Sequence, residues 1–202
     1  MPFDTSTLGV KEKEIVKGFE KELLAVLQKC RDGVAAGRAG TALDRWFGDH
    51  ADAFAKEVKV KVAKLRSHLN STNIKCELGK GLSADNNAQA NHFTAGFIGV
   101  SSLLAVTNAK TQADQFAKVM VGPNFKSLAK YATTSLGTFA TQDQFETLAH
   151  ELSHVVFGTK DVANADGGTA YGGDRARRLV TEDVAKAKNN AENWGFFIEE
   201  FR

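Results

Sequence analysis

Apolar positions recur at helical spacing through the first third of the chain. Ile15, Phe19, Leu23, Val26 and Leu27 fall on one face of a helix expected over residues 10 to 33, with Lys and Glu between them. The Gly- and Ala-rich stretch from Gly33 to Gly40 breaks that pattern. A second helix is expected from about Thr41 to His68, with Leu43, Trp46, Phe47, Phe54, Val58 and Val62 on its apolar face and Gly48 as a kink or interruption. Two long helices with a short connector should pack as an antiparallel pair. The basic residues Lys56, Lys59, Lys61, Lys64 and Arg66 read as a solvated helix face.

After Ser71 the period shortens. Asn73 to Leu78 alternates and predicts a strand, Gly79 to Gln89 a polar loop, Phe93 to Val100 a second strand, and Lys118 to Val121 a third. Gly122-Pro123 ends the third, since proline cannot donate to a ladder. Phe145, Leu148, Leu152 and Val155 then restore helical spacing. Thr141 to Gln144 has the form of a capping box with Thr141 as N-cap, and Gly158 stands where the helix should stop. A glycine-rich stretch runs from Asp166 to Gly173. A last long helix is expected from about Thr181, with Glu182 and Asp183 in its first turn and Phe196, Phe197 and Phe201 closing over the core.

This order predicts an α+β fold: an N-terminal antiparallel helix pair, a small mixed sheet, a helix carrying the chemistry described next, and a C-terminal helix. No repeat or linker divides it. One domain is expected over residues 1–202, with residues 1–70 mainly helical and 71–202 holding the sheet and the candidate site. Strand 118–121 is the last before the candidate helix. Its edge, with Val119 and Val121, is a place where an extended peptide could pair.

That helix contains His150-Glu151-Leu152-Ser153-His154, an H-E-x-x-H sequence. Imidazoles four residues apart on a helix share a face, within reach of one ion, and Glu151 points beside that ion, where it can hold a water. A catalytic zinc takes three protein ligands plus water, and Asp161 is the first carboxylate after the glycine stop. Asp174, Glu182 and Asp183 on the following segment are the alternative third ligands.

Composition limits the rest. Of 202 residues, 43% are hydrophobic and 25% charged, and the net charge is +2, too small to argue for nucleic acid or an anionic membrane. No run of eighteen apolar residues suggests a membrane span. The N-terminus, MPFDTSTLGVKEKE, lacks the basic and apolar regions of a signal peptide. Fourteen Phe against two Trp and two Tyr predict a core rich in phenylalanine. Cys30 and Cys76 read either as one bridge or as two buried thiols.

Several separated stretches resemble one family, the aspzincins, the deuterolysin and peptidyl-Lys metalloendopeptidase group of zinc proteases. HELSHVVFGTKD at residues 150–161 matches the family's H-E-x-x-H followed by G-T-x-D, KNNAENWGFF resembles its N-N-A-D-N-Y segment, and RWFG at Arg45 to Gly48 resembles a segment of bacterial relatives. The resemblance implies a zincin-like fold, one Zn²⁺ held by His150, His154 and Asp161, Glu151 as general base, and a protein or peptide substrate. It also implies secretion or export. It further implies an oxyanion donor from a Tyr-Gly pair. Here nine residues rather than two separate Asp161 from Tyr171-Gly172, so Tyr171 must return by a longer loop. Peptidyl-Lys members place acids in the N-N-A-D-N-Y region to receive a lysine. Glu192 keeps one, and Gly195 stands where a second would be. Two other readings compete: a non-catalytic module that keeps zinc for structure, and a protease-fold toxin or effector delivered to another cell, which would imply an inhibitor or immunity partner.

Overall fold

The computed structural model describes residues 3–71, 74–78, 88–92, 117–121, 125–131 and 142–202. Most of the expected 79–89 loop, the expected strand at 93–100, the Gly122-Pro123 stop and Thr141 lie outside the described residues.

The chain opens with strand β1 (Phe3–Asp4) and helix α1 (Val10–Ala35). Phe19, Leu23, Val26 and Leu27 of α1 are buried, as their spacing requires. The expected second helix is two helices, α2 (Gly40–Phe47) and α3 (Asp52–Ser71). Gly48 separates them in the left-handed conformation, at φ +64°. A Cβ there would lie 2.8 Å from Cγ1 of Val180, so neither the turn nor the neighbouring helix admits a side chain. α1 and α3 pack on each other.

Among the described residues four strands form one mixed sheet in the order β1-β2-β4-β3, where β2 is Ile74–Leu78, β3 Ala88–His92 and β4 Ala117–Val121. β4 runs parallel to β2 and antiparallel to β3. This corrects two expectations. Residues 88 and 89, read as the end of a loop, begin a strand. Strand 117–121 is interior: Val119 pairs with Cys76 on one side and Ala90 on the other and is fully buried, and Val121 pairs with Leu78 and Ala88. Neither valine offers a free edge to a peptide. Among the described residues the edge beside the candidate helix belongs to β3.

A short 3-10 turn at Phe125–Ser127 precedes α4 (Gln144–Phe157). Its N-cap is Asp143, whose carboxylate accepts the Glu146 N–H at 2.7 Å, in place of the expected Thr141. Its C-cap is Gly158 at φ +71°, as expected. A helix that was not expected, α5 (Gly173–Glu182), comes next, and the last helix expected from about Thr181 is two, α6 (Val184–Asn189) and α7 (Ala191–Glu199). Asp183 and Asn190 are both extended and interrupt the helical run.

α4 packs chiefly against α7, over a core that also draws on α1, α2 and α3. Both tryptophans are buried there with the phenylalanines: Trp46 stacks on Phe196 at 5.0 Å, and Phe47 lies 4.8 Å from Trp194. Cys30 and Cys76 are free and buried, and burial pushes both thiols up, so they read as inert core side chains. Among the described residues no helix is long and apolar enough to cross a membrane.

Candidate metal centre

Three side chains from two adjoining segments meet at one point. His150 and His154 project from one face of α4, and their Nε2 atoms are 3.1 Å apart. The Gly158 bend turns the chain back, and Asp161 Oδ1 comes to 3.2 Å from Nε2 of His150 and 3.3 Å from Nε2 of His154. Ligands about 2.0–2.1 Å from a tetrahedral zinc are about 3.3 Å from one another, so this near-equilateral triangle has the right edge for one such ion.

The outer ring nitrogens set the tautomers. His154 Nδ1 is 2.8 Å from the backbone oxygen of Thr159, which can only accept, so Nδ1 carries the hydrogen and the Nε2 lone pair faces the triangle. His150 Nδ1 donates likewise to Oε2 of Glu192 at 2.8 Å. Thr159 is itself held from inside the helix: Ser153 Oγ donates to the His150 carbonyl and meets Thr159 Oγ1, both at 2.7 Å. Two nitrogen lone pairs and a carboxylate aimed at one point repel unless a cation lies between them. The protonation behaviour agrees. For Asp161, burial acts upward but the two imidazoles against it outweigh it and hold the carboxyl far below its usual range. For His150, burial acts against charge, yet Asp161 and Glu192 raise it well above its ordinary value. The pocket favours positive charge where the three atoms converge, and the donor set fits zinc.

Glu151 is buried next to this point, with a carboxylate oxygen within 4.8 Å of ring nitrogens of His150 and His154. Tyr171 does return. Residues 162–170 fold back on themselves through paired Ala163 and Thr169 and the Ala170 N–H to Val162 carbonyl bond at 2.8 Å. The Tyr171 ring then lies 6.0 Å from that of His150, and its phenol hydrogen-bonds with Asp161. Burial, then the Asp161 charge, pushes the phenol up, so it stays protonated. Asp161 and Tyr171 are 40% and 46% exposed, so the triangle opens to solvent on their side, unlike a closed structural site.

Glu192 has a different place from the one expected. It is fully buried on α7, neither solvated nor facing a cleft. Oε2 accepts from His150 and from Gln142 at 3.2 Å, and Oε1 accepts the Gly172 N–H at 2.6 Å. With no exposed surface, its carboxylate is closed to a substrate lysine. Sequence reasoning missed the pairing of Glu192 with His150 because the two stand forty-two positions apart in the chain. The alternative third ligands do not reach the triangle. Glu182 bonds Asn164, Ala165 and Arg178, Asp183 caps α6, and Asp174 pairs with Arg177 on the surface.

A solvent-open pair of helix-borne imidazoles with a carboxylate past a glycine bend, on an α+β scaffold, defines a zincin-type metallopeptidase. The family model for the aspzincins, described as lysine-specific metallo-endopeptidase, matches residues 33–199, and the chain belongs to that family. Its fold is similar to that of a zinc peptidase from Grifola frondosa, with TM-score 0.65 and 20% sequence identity over 95% of this chain and 96% of that one. No curated protein sequence matches the chain.

Proposed function

We propose that residues 1–202 form one domain that acts as a zinc-dependent endopeptidase, in which His150, His154 and Asp161 hold one ion. The observation that carries the reading is the triangle of two Nε2 atoms and Oδ1 with edges of 3.1–3.3 Å. An ion held there would make a water more acidic and would polarise a substrate carbonyl. Glu151 accepts the water proton on its carboxylate and passes it to the leaving amine. The Tyr171 phenol donates its hydrogen to the oxygen that gains negative charge. The Glu192 carboxylate keeps His150 in the Nδ1–H tautomer throughout. An extended peptide would align along the β3 edge, adding a strand beside α4.

A lysine preference has no support from the α7 side chains. Glu192 is engaged with the protein's own donors, and Gly195 has no side chain, so among the described residues we place no lysine receptor on α7. Mapping cleavage sites in a denatured protein mixture, with zinc and then with a chelator, tests both statements. Cleavage that needs zinc is expected, and an enrichment of lysine that survives Glu192→Gln would place the lysine receptor off α7. Glu151→Gln is expected to keep zinc and lose peptide hydrolysis. Wild-type rates of casein cleavage by that variant would remove Glu151 from the mechanism.

A further inference from the structure

Asp161 is the least enclosed of the three converging side chains, 40% exposed against 6% for His150 and 17% for His154. Its main chain is held firmly. The Lys160 N–H donates to the Asn189 carbonyl, the Ala191 N–H donates to the Lys160 carbonyl, both at 2.9 Å, and the Val162 N–H donates to Oδ1 of Asn190 at 3.0 Å. Asp161 is thus clamped on both sides by the strip between α6 and α7. Only the last of these bonds uses a side chain.

That side chain is part of a chain of amides whose directions are unambiguous. Asn190 Oδ1 accepts from Val162, so its Nδ2 must donate, and it does so to Oδ1 of Asn193 at 2.7 Å. Asn193 Nδ2 then donates to the backbone oxygens of Trp46 at 2.6 Å and Ala176 at 3.0 Å. Asn190 and Asn193 are both buried, where an unmatched amide is costly. The line runs from the end of α2 and from α5, through α7, to the backbone beside Asp161. It explains why Asn190 is extended and why the helical run is interrupted there.

We infer that Asn190 is a positioning residue for the third zinc ligand, acting through Asp161 and held in register by Asn193. The inference rests on the metal-site reading above. It assigns to the N-N-A-E-N segment the setting of Asp161 against the two histidines.

A double-mutant cycle on zinc affinity, measured by competition with a chromophoric chelator, tests it. Asn190→Ala should weaken zinc binding about 10- to 100-fold in the wild-type background. In an Asp161→Ala background the same change should cost about twofold or less, since the group it positions is gone. Equal losses in both backgrounds would make Asn190 a general structural residue and overturn the inference. If Asp161→Ala bound zinc as tightly as wild type, the metal-site reading itself would fail for Asp161. Because Asn190→Ala could unfold, amide exchange in the unaltered protein gives a second arm. The Val162 N–H should show a protection factor on the order of 100 or more. An unprotected Val162 amide would show that the clamp does not exist.

Discussion

At Gly195 a hydrogen atom is all that α7 can carry. A Cβ there would lie 2.2 Å from Oε1 of Glu146 and 3.1 Å from its backbone oxygen, and that backbone cannot move without shifting α4. Gly195→Ala should therefore destabilise the protein by about 1–3 kcal/mol as overpacking, read as a lower urea midpoint with unchanged slope. Glu146 itself is fully buried, and burial followed by the nearby Glu192 charge raises its pKa well above the ordinary value. The room a side chain at position 195 would need is thus taken by the Glu146 carboxyl from α4. Glu192 gives a second residue-level prediction. Three donors converge on its two oxygens, and a glutamine can present an oxygen to only one side. Glu192→Gln should weaken zinc binding about 10- to 100-fold by leaving His150 or Gly172 facing a donor. Isothermal titration with zinc would check this, and an unchanged affinity would remove Glu192 from the support of His150.

The element that matters most is α4, and its two ends act differently. At the start, Asp143 accepts the Glu146 N–H while fully buried, so no water can replace it. Asp143→Ala should cost about 1–2 kcal/mol, visible in thermal melts of the zinc-free protein. At the end, Gly158 takes φ +71° with no neighbour within 4 Å of a Cβ, so a substitution there meets backbone strain alone. The stop was legible because a helix needs one residue type there. The start was not, because Thr141 and Asp143 both suit an N-cap and only the entry path of the chain chooses between them. The long closing helix failed as an expectation for a related reason. Residues 181–199 have helical composition, but Asp183 and Asn190 use their side chains on backbone N–H groups, of Lys186 and Val162, and leave helical geometry to do so.

For the whole molecule, ion binding and folding should be linked. The triangle joins α4 to the segment after Gly158, and an ion that binds only the folded chain stabilises it by about 2.7 kcal/mol at a hundred times its Kd. A chelator should lower the melting temperature of wild type, and do so much less for Asp161→Ala. A second whole-molecule effect concerns Glu199, buried at the α4–α7 contact. Burial, then a hydrogen bond with Asp143, raises its pKa to about 9. A carboxyl ionises near 4.5 when unfolded, so between about 4.5 and 9 the folded state holds the extra proton and stability falls as pH rises. Glu199→Gln should therefore be more stable than wild type near pH 8, by about 1–2 kcal/mol, with the advantage gone below about pH 4. Denaturation curves at the two pH values would decide, and an equal gain at both would point to packing instead of protonation.

The sequence by itself determined what depends on near neighbours along the chain. The i, i+4 spacing of His150 and His154, the glycine stop and the apolar stripes follow from the pitch of a helix and the left-handed reach of glycine. Only the tertiary structure decided what is brought together from a distance: Glu192 behind His150, Asn190 beside Asp161, Tyr171 returning over the triangle, and β4 enclosed between two strands. Such pairings join residues far apart in the chain, as Asn193 to Trp46, a hundred and forty-seven positions away. Local periodicity shows which face of a helix is buried. Which partner fills that face is settled when the helices pack and every buried donor has found its acceptor.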